Sequence, residues 1–286
     1  MHPARLDAGA FTPAVFSARR PPDRNHYRIV RCVACGLLRS DPVARDDVLS
    51  GLYTQSEFRY GDETANLGAT YGRYLGRLER FAGRRDALLE IGCGNGFFLA
   101  EARRRGYAEA RGVEPSRDAV AKAPPALREA IVVDVMRPGL FDQDSFDAVC
   151  LFQVLDHLAD PAGVLRECFR LLRPGGLVLC LNHDVGALSA RILGSRSPIV
   201  DVEHTYLFDR RTISILLRAQ GYDVLETGPV RNAYSLRYLV HLLPLPRLAR
   251  TALAAVTERT QLGGLRLAVR LGNLYAIARR PGDPAT

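Results

Sequence analysis

The stretch Leu88-Leu89-Glu90-Ile91-Gly92-Cys93-Gly94-Asn95-Gly96-Phe97 carries the clearest chemical signal in the chain, because an apolar strand runs there into a glycine turn and then a helix. Glycines let the backbone turn sharply and approach a ligand, while the amides that open the helix point toward it. A dinucleotide loop would need glycine where Phe97 stands, and a phosphate loop would need Gly-Lys-Ser/Thr, which the chain lacks. Glu114 comes 22 residues after Gly92, at the end of a second expected strand, where a carboxylate can accept from both hydroxyls of a ribose. Asp134 follows 20 residues later, at the end of a third, and suits an exocyclic amine such as that of adenine. Either acid alone reads equally well as a cap on a strand-to-helix turn. The ordered series of glycine turn, Glu114 and Asp134 points to a nucleoside-bearing ligand.

Three histidines, His157, His183 and His204, fall near the carboxyl ends of expected strands, where an imidazole can take a proton from a bound acceptor. His157 sits in Leu155-Asp156-His157-Leu158 and reads either as a base or as a brace for that loop, while His183 reads equally as a partly exposed surface residue. Glu203-His204-Thr205-Tyr206 brings a carboxylate, an imidazole and a phenol close together in sequence, which suits holding a substrate hydroxyl; a loop anchored by its aromatics is the plainer alternative. His204, His157 and Tyr206 are therefore the candidates on the acceptor side. Tyr53, Tyr60 and Phe97 are candidates for shielding the ligand from water. Cys32-x-x-Cys35-Gly36 has the spacing of half a tetrahedral zinc site, but no second cysteine pair exists and His2 and His26 lack the spacing to complete it, so no metal centre is expected.

The elements that must position these residues alternate along the chain. Apolar strands are expected at Ala87 to Ile91, Ala110 to Glu114, Ile131 to Asp134, Phe146 to Phe152, Gly176 to Asn182, Tyr222 to Thr227 and Asn273 to Arg279. Helices fit between them at Phe97 to Arg105, Arg117 to Ala123, Pro161 to Leu172 and Arg210 to Gln220, the last with Asp209 as N-cap and Gly221 beyond its end. Such alternation predicts a parallel sheet with helices on both faces. Residues 1 to 45 read as an irregular N-terminal appendage, and 46 to 85 as largely helical.

The composition is that of an ordinary soluble globule, neither disordered nor fibrous: of 286 residues, 47% are apolar and 24% charged, with mean hydropathy near zero. No apolar run is long enough for a membrane span, and the first residues lack the core of a secretory signal, so the expected location is the cytoplasm. Four of the six cysteines lie in apolar segments, and no disulfide is expected. The net charge of +8 is unevenly spread. Between 231 and 271, Arg231, Arg237, Arg247, Arg250, Arg259, Arg266 and Arg270 face only Glu258.

Taken in order, these motifs resemble the class I S-adenosylmethionine-dependent methyltransferases over roughly residues 50 to 280. Glu90-x-Gly92-x-Gly94-x-Gly96 resembles the family's first motif, Glu114 its ribose-binding acid and Asp134 its adenine-side acid. Phe146-Asp147-Ala148-Val149 with Val154 to Pro161 is similar to the fourth-strand motif of small-molecule and lipid methyltransferases, and Leu172-Arg173-Pro174-Gly175-Gly176 to the turn before the fifth strand. The resemblance implies an α/β fold with a doubly wound, mostly parallel seven-stranded sheet and an antiparallel last strand. It implies S-adenosyl-L-methionine as cofactor, held by Glu90, Gly92, Gly94, Asn95, Gly96, Phe97, Glu114, Asp134 and Gln153, and a small-molecule acceptor such as a sugar, quinone or lipid-linked intermediate. A catalytically silent cofactor-binding module and a nicotinamide-dependent oxidoreductase are the alternatives.

Cys32-x-x-Cys35 resembles a zinc-ribbon head that some of these enzymes carry, in degenerate form. Residues 152 to 155 read Phe-Gln-Val-Leu where base-amine methylators have an Asn-Pro-Pro-Tyr type, and no Pro-Cys dipeptide of the cytosine-carbon type occurs, so nucleic acid is not the expected partner. The segment 231 to 271 is expected to be a helical insert: a short helix, a Leu-Pro-Leu-Pro break and a second helix. Its arginines suit an anionic membrane surface or an acidic, lipid-linked acceptor, or else a packed lid with solvated charges.

Overall fold

The runs Ala87–Ile91 and Phe146–Phe152 are buried at every position, as expected for strands covered on both faces of a sheet. The computed structural model describes residues 2–7, 12–16, 25–57, 64–236, 240, 253, 257, 260 and 265–282. In chain order the elements are β1 (Ile29–Arg31), β2 (Leu38–Ser40), α1 (Asp46–Thr54), α2 (Thr64–Leu78), β3 (Ala87–Ile91), α3 (Phe97–Arg104), β4 (Glu109–Val113), α4 (Arg117–Ala121), α5 (Pro125–Arg128) and β5 (Ile131–Val132). There follow β6 (Phe146–Phe152), α6 (Pro161–Leu171), β7 (Leu172–His183), α7 (Leu188–Leu193), β8 (Tyr206–Leu207), α8 (Arg210–Ala219), β9 (Asp223–Pro229), β10 (Asn232–Ser235), β11 (Arg266–Val269) and β12 (Asn273–Arg279).

Seven strands form the central sheet in the order β5-β4-β3-β6-β7-β12-β9, with β12 antiparallel to both neighbours and the other pairs parallel. Side chains along β7 alternate between two cores. Leu177, Leu179 and Leu181 pack with Leu75 and Phe98 of α2 and α3, whereas Val178 and Cys180 pack with Leu165 and Leu217 of α6 and α8. The strand order reverses between β3 and β6, and a crevice opens at their carboxyl ends.

Helix α8 starts where the sequence predicts. Asp209 accepts from the Thr212 amide at 2.7 Å and the Thr212 hydroxyl accepts from the Asp209 amide at 2.9 Å, a reciprocal cap. Asp209→Ala is expected to cost about 1 kcal/mol, read as a fall of a few degrees in Tm with cofactor affinity unchanged.

Several features differ from expectation; among them, β7 starts at Leu172, so the expected turn at 172 to 176 lies inside the strand. Strand β5 stops at Val132, so Asp134 lies beyond it in a turn. Within 1–45, β1 and β2 pair antiparallel, and β2 continues the ladder onto β8, which joins the N-terminal segment to the connection after β7. Residues 232 to 235, expected as helix, are strand β10 paired with β11. The reason is geometric: β9 and β12 are neighbours, so the two ends of the insert emerge side by side and pair their backbones. Leu236, Val240, Leu253 and Thr257 are helical, while Arg237, Arg247, Arg250, Arg259 and Tyr60 lie outside the described residues. No helix among the described residues is long and apolar enough to cross a membrane.

Candidate active site

The turn after β3 needs its glycines. Gly92 has φ 72°, and a Cβ there would stand 2.6 Å from the Val154 side chain; Gly96, at φ 76°, opens α3. The turn also supplies an amide: Gly94 N–H donates to Glu114 Oε2 at 2.8 Å, and Ser116 N–H donates to Oε1 at 2.9 Å. Glu114, 9% exposed, is thus locked at the edge of the turn with a second lone pair on each oxygen still available. Burial raises its carboxyl, and these two hydrogen bonds partly offset that.

Above the turn opens a cleft of about 1210 Å³. Gly92, Gly94, Glu114, Asp134, Gln153, His157 and His204 line it, together with His183 and Glu203. Four further candidates do not line the cleft. Glu90, 2% exposed, sits under the turn with Oε2 unpartnered among the described residues, and burial beside Glu114 pushes its carboxyl well above the usual range. Asn95 Oδ1 is likewise buried and unpartnered, Gly96 caps α3, and Phe97 packs on Tyr71 with ring centroids 5.7 Å apart. Asp134 is held by Arg137 at 2.7 Å, which keeps its carboxyl below the ordinary value.

Gln153 is the strained residue of the site. It directly follows β6 at φ 57°, where its amide donates to Leu181 O at 2.7 Å and its side-chain Oε1 is buried without a partner among the described residues. A positive φ outside glycine and an orphaned acceptor beside a glycine turn fit a ligand bearing an ammonium group. Gln153 and the ribose-ready Glu114 on the same wall thus match the amino-acid and nucleoside ends of S-adenosylmethionine.

At the other side of the cleft three imidazoles gather around one buried carboxylate. Asp156, 1% exposed, accepts from Asn182 Nδ2 at 3.0 Å on Oδ1, and its Oδ2 lies 2.7 Å from His183 Nδ1. His157 Nε2 is 3.8 Å from Asp156 Oδ1, and its Nδ1 lies 2.9 Å from the Tyr53 hydroxyl of α1. The His204 ring stands 4.8 Å from that of His157 and 4.4 Å from that of His183. Burial by itself would raise the Asp156 carboxyl, but the three histidines outweigh it and hold the group well below the carboxylate range. Burial lowers both His157 and His204, and His183 adds to each shift while Asp156 opposes it.

Residues before α2, from the N-terminal segment and from α1, build part of this wall. Phe16, Leu49, Tyr53 and Ser56 line the cleft, and the Ser40 hydroxyl donates to His204 O at 3.2 Å. Tyr206 does not join the cluster: its hydroxyl donates to Ala159 O at 3.2 Å and its ring stacks on Phe208, two residues on, whereas His204 lies in the connection before β8 begins. Asp156 and Asn182 were not among the sequence candidates. The signal that could have found them is the parallel pairing of Phe152 with Leu181, which sets the loop after β6 beside Asn182 and His183. Cys32 and Cys35 are free thiols in the turn between β1 and β2.

Residues 66–227 match the methyltransferase-domain family. A ubiquinone biosynthesis O-methyltransferase from Alkalilimnicola ehrlichii is 36% identical over 42% of this chain and 50% of its own length. One of the same name from Paracidovorax citrulli is 30% identical over 64% of this chain and 81% of its own. The chain thus spans about half the length of the first relative and four fifths of the second. A putative methyltransferase solved in complex with the Haloferax volcanii Trm112 methyltransferase activator has the same fold, with TM-score 0.53 and 18% identity over 83% of this chain and 99% of that one. Sheet order, glycine turn and sequence kinship agree, and the chain belongs to the methyltransferase-domain family, within the class I S-adenosylmethionine-dependent methyltransferases.

Proposed function

We propose that the protein methylates a hydroxyl of a small acceptor, a quinol-type phenol in the first instance, with His183 as the general base. The observation that carries this reading is the Asp156–His183 pair at the cleft. With Nδ1–H donated to a buried carboxylate, Nε2 is left as an acceptor, and His183 lines the cleft with 26% of its side chain exposed. The names of the relatives favour a phenolic hydroxyl over a sugar. Bound S-adenosylmethionine supplies a methyl group on a sulfonium that departs as a neutral thioether. Glu114 would hold the ribose hydroxyls, Gln153 Oε1 the ammonium group and Asp134 the adenine edge. His183 would take the hydroxyl proton as the new oxygen–carbon bond forms, and Asp156 would keep its ring in register. The arginine-rich segment 231 to 271 suits acidic or lipid-linked acceptors, or an anionic surface that presents them, and the Phe-Gln-Val-Leu at 152 to 155 speaks against nucleic acid.

The test has two stages. S-adenosylmethionine at 100 times its Kd is expected to stabilise the fold by about 2.7 kcal/mol, seen as a rise in Tm that NAD does not produce. Labelled cofactor is then offered with quinol, sugar and lipid-linked acceptors at low and moderate salt, and the label is expected in a phenolic methyl ether. A Tm rise with NAD alone would overturn the reading, and cofactor binding without turnover on any acceptor would favour a silent module.

A further inference from the structure

Asp156, His157 and His204 each offer one donor atom, and the three atoms lie within 4.8 Å of one another at the floor of the cleft. We propose that these residues bind one divalent transition-metal ion of the zinc type. Two imidazoles and one carboxylate form a donor set suited to that class, and three protein ligands leave a coordination position open. Metal–ligand bonds of ~2.05 Å put tetrahedral ligands about 3.4 Å apart, so closure asks each side chain to move by on the order of 1 Å.

The surroundings already resemble an outer shell. Asn182 Nδ2 and His183 Nδ1 orient the two Asp156 oxygens, and the Tyr53 hydroxyl holds one ring nitrogen of His157. His204 Nδ1 is a buried atom with no hydrogen-bond partner among the described residues, so its lone pair is available to ligate a cation. His157 and His204 both line the cleft whereas Asp156 lies behind it, so the open position faces the acceptor space. An acceptor oxygen would bind there as the fourth ligand. That last point rests on the methyl-transfer reading; the cation site itself does not.

The probe is Co²⁺, titrated into the full chain after chelator treatment and followed by visible absorption, with Zn²⁺ as competitor. One equivalent is expected to bind with a visible band but no thiolate-to-cobalt charge-transfer band, and Zn²⁺ is expected to displace it. Cys32→Ser with Cys35→Ser is expected to leave binding intact, while His204→Ala and Asp156→Asn each weaken it at least tenfold. His204→Gln serves as second variant, with circular dichroism and cofactor affinity as checks of folding. No saturable binding, or a charge-transfer band abolished by the cysteine substitutions, would overturn the proposal, as would unchanged Co²⁺ affinity in folded His204 variants. S-adenosylmethionine affinity is measured separately: its absence beside intact Co²⁺ binding would remove the methyl-transfer reading and leave the cation site standing.

Discussion

His183→Ala is expected to lower kcat by roughly 10²- to 10⁴-fold, the range for losing a positioned general base, while cofactor affinity stays within about twofold. The argument is directional. The Nδ1 of His183 is tied to Asp156 Oδ2 at 2.7 Å, so the ring cannot turn away, and its other nitrogen is the one left for the cleft. His157 and His204 are more deeply buried, and each has another task in the network: His157 is held by the Tyr53 hydroxyl, and His204 packs between the other two rings. Asp156→Asn tests positioning. An amide at that place can turn its NH₂ group toward His183 Nδ1 and favour the wrong tautomer, which is expected to depress kcat while leaving KM nearly unchanged. Single-turnover kinetics with saturating cofactor would separate the chemical step from product release. A His183→Ala enzyme within threefold of the parent in that experiment would exclude His183 as the base.

Glu114→Ala is expected to weaken S-adenosylhomocysteine binding by roughly 10- to 100-fold, the range of about 1.5 to 3 kcal/mol for hydrogen bonds to a charged group. Two losses combine here. The ribose hydroxyls lose their acceptor, and the amides of Gly94 and Ser116 lose the carboxylate that fixes the glycine turn. Asp134→Ala is expected to cost less than tenfold, because that carboxylate sits in a turn, already paired with Arg137. Calorimetric titration of both variants checks the ranking. Equal losses, or a larger one at Asp134, would mean that Glu114 braces the turn without touching the ligand.

Much of this arrangement is legible in the chain. The strands Ala87–Ile91, Phe146–Phe152 and Asn273–Arg279 match their expected bounds, since continuous apolar runs next to turn residues leave little choice. The glycine turn and Glu114 are legible for a similar reason: the backbone need of each glycine and the distance to the next strand end are local properties. The Asp134 turn is less so, because a two-residue edge strand is set by its neighbour more than by its own residues.

The acceptor side is a different case. Glu203-His204-Thr205-Tyr206 places its side chains within four residues, yet the pairing of β8 with β2 turns Tyr206 away while His204 meets His157 and His183. Regular alternation would put residues two apart on one face, but His204 precedes β8 and lies in an irregular connection, so proximity along the chain does not imply a shared pocket. The carboxylate that organises the cluster, Asp156, comes 27 residues before the histidine it orients, and only the pairing of β6 with β7 brings the two together. The residues before α2 likewise reach the cleft through contacts with residues more than 100 positions away, Tyr53 of α1 with His157 and Ser40 of β2 with His204. Local periodicity and turn chemistry therefore determine the sheet and the cofactor loop. The constellation facing the acceptor is decided by strand pairing between distant segments, which no local preference of the chain encodes.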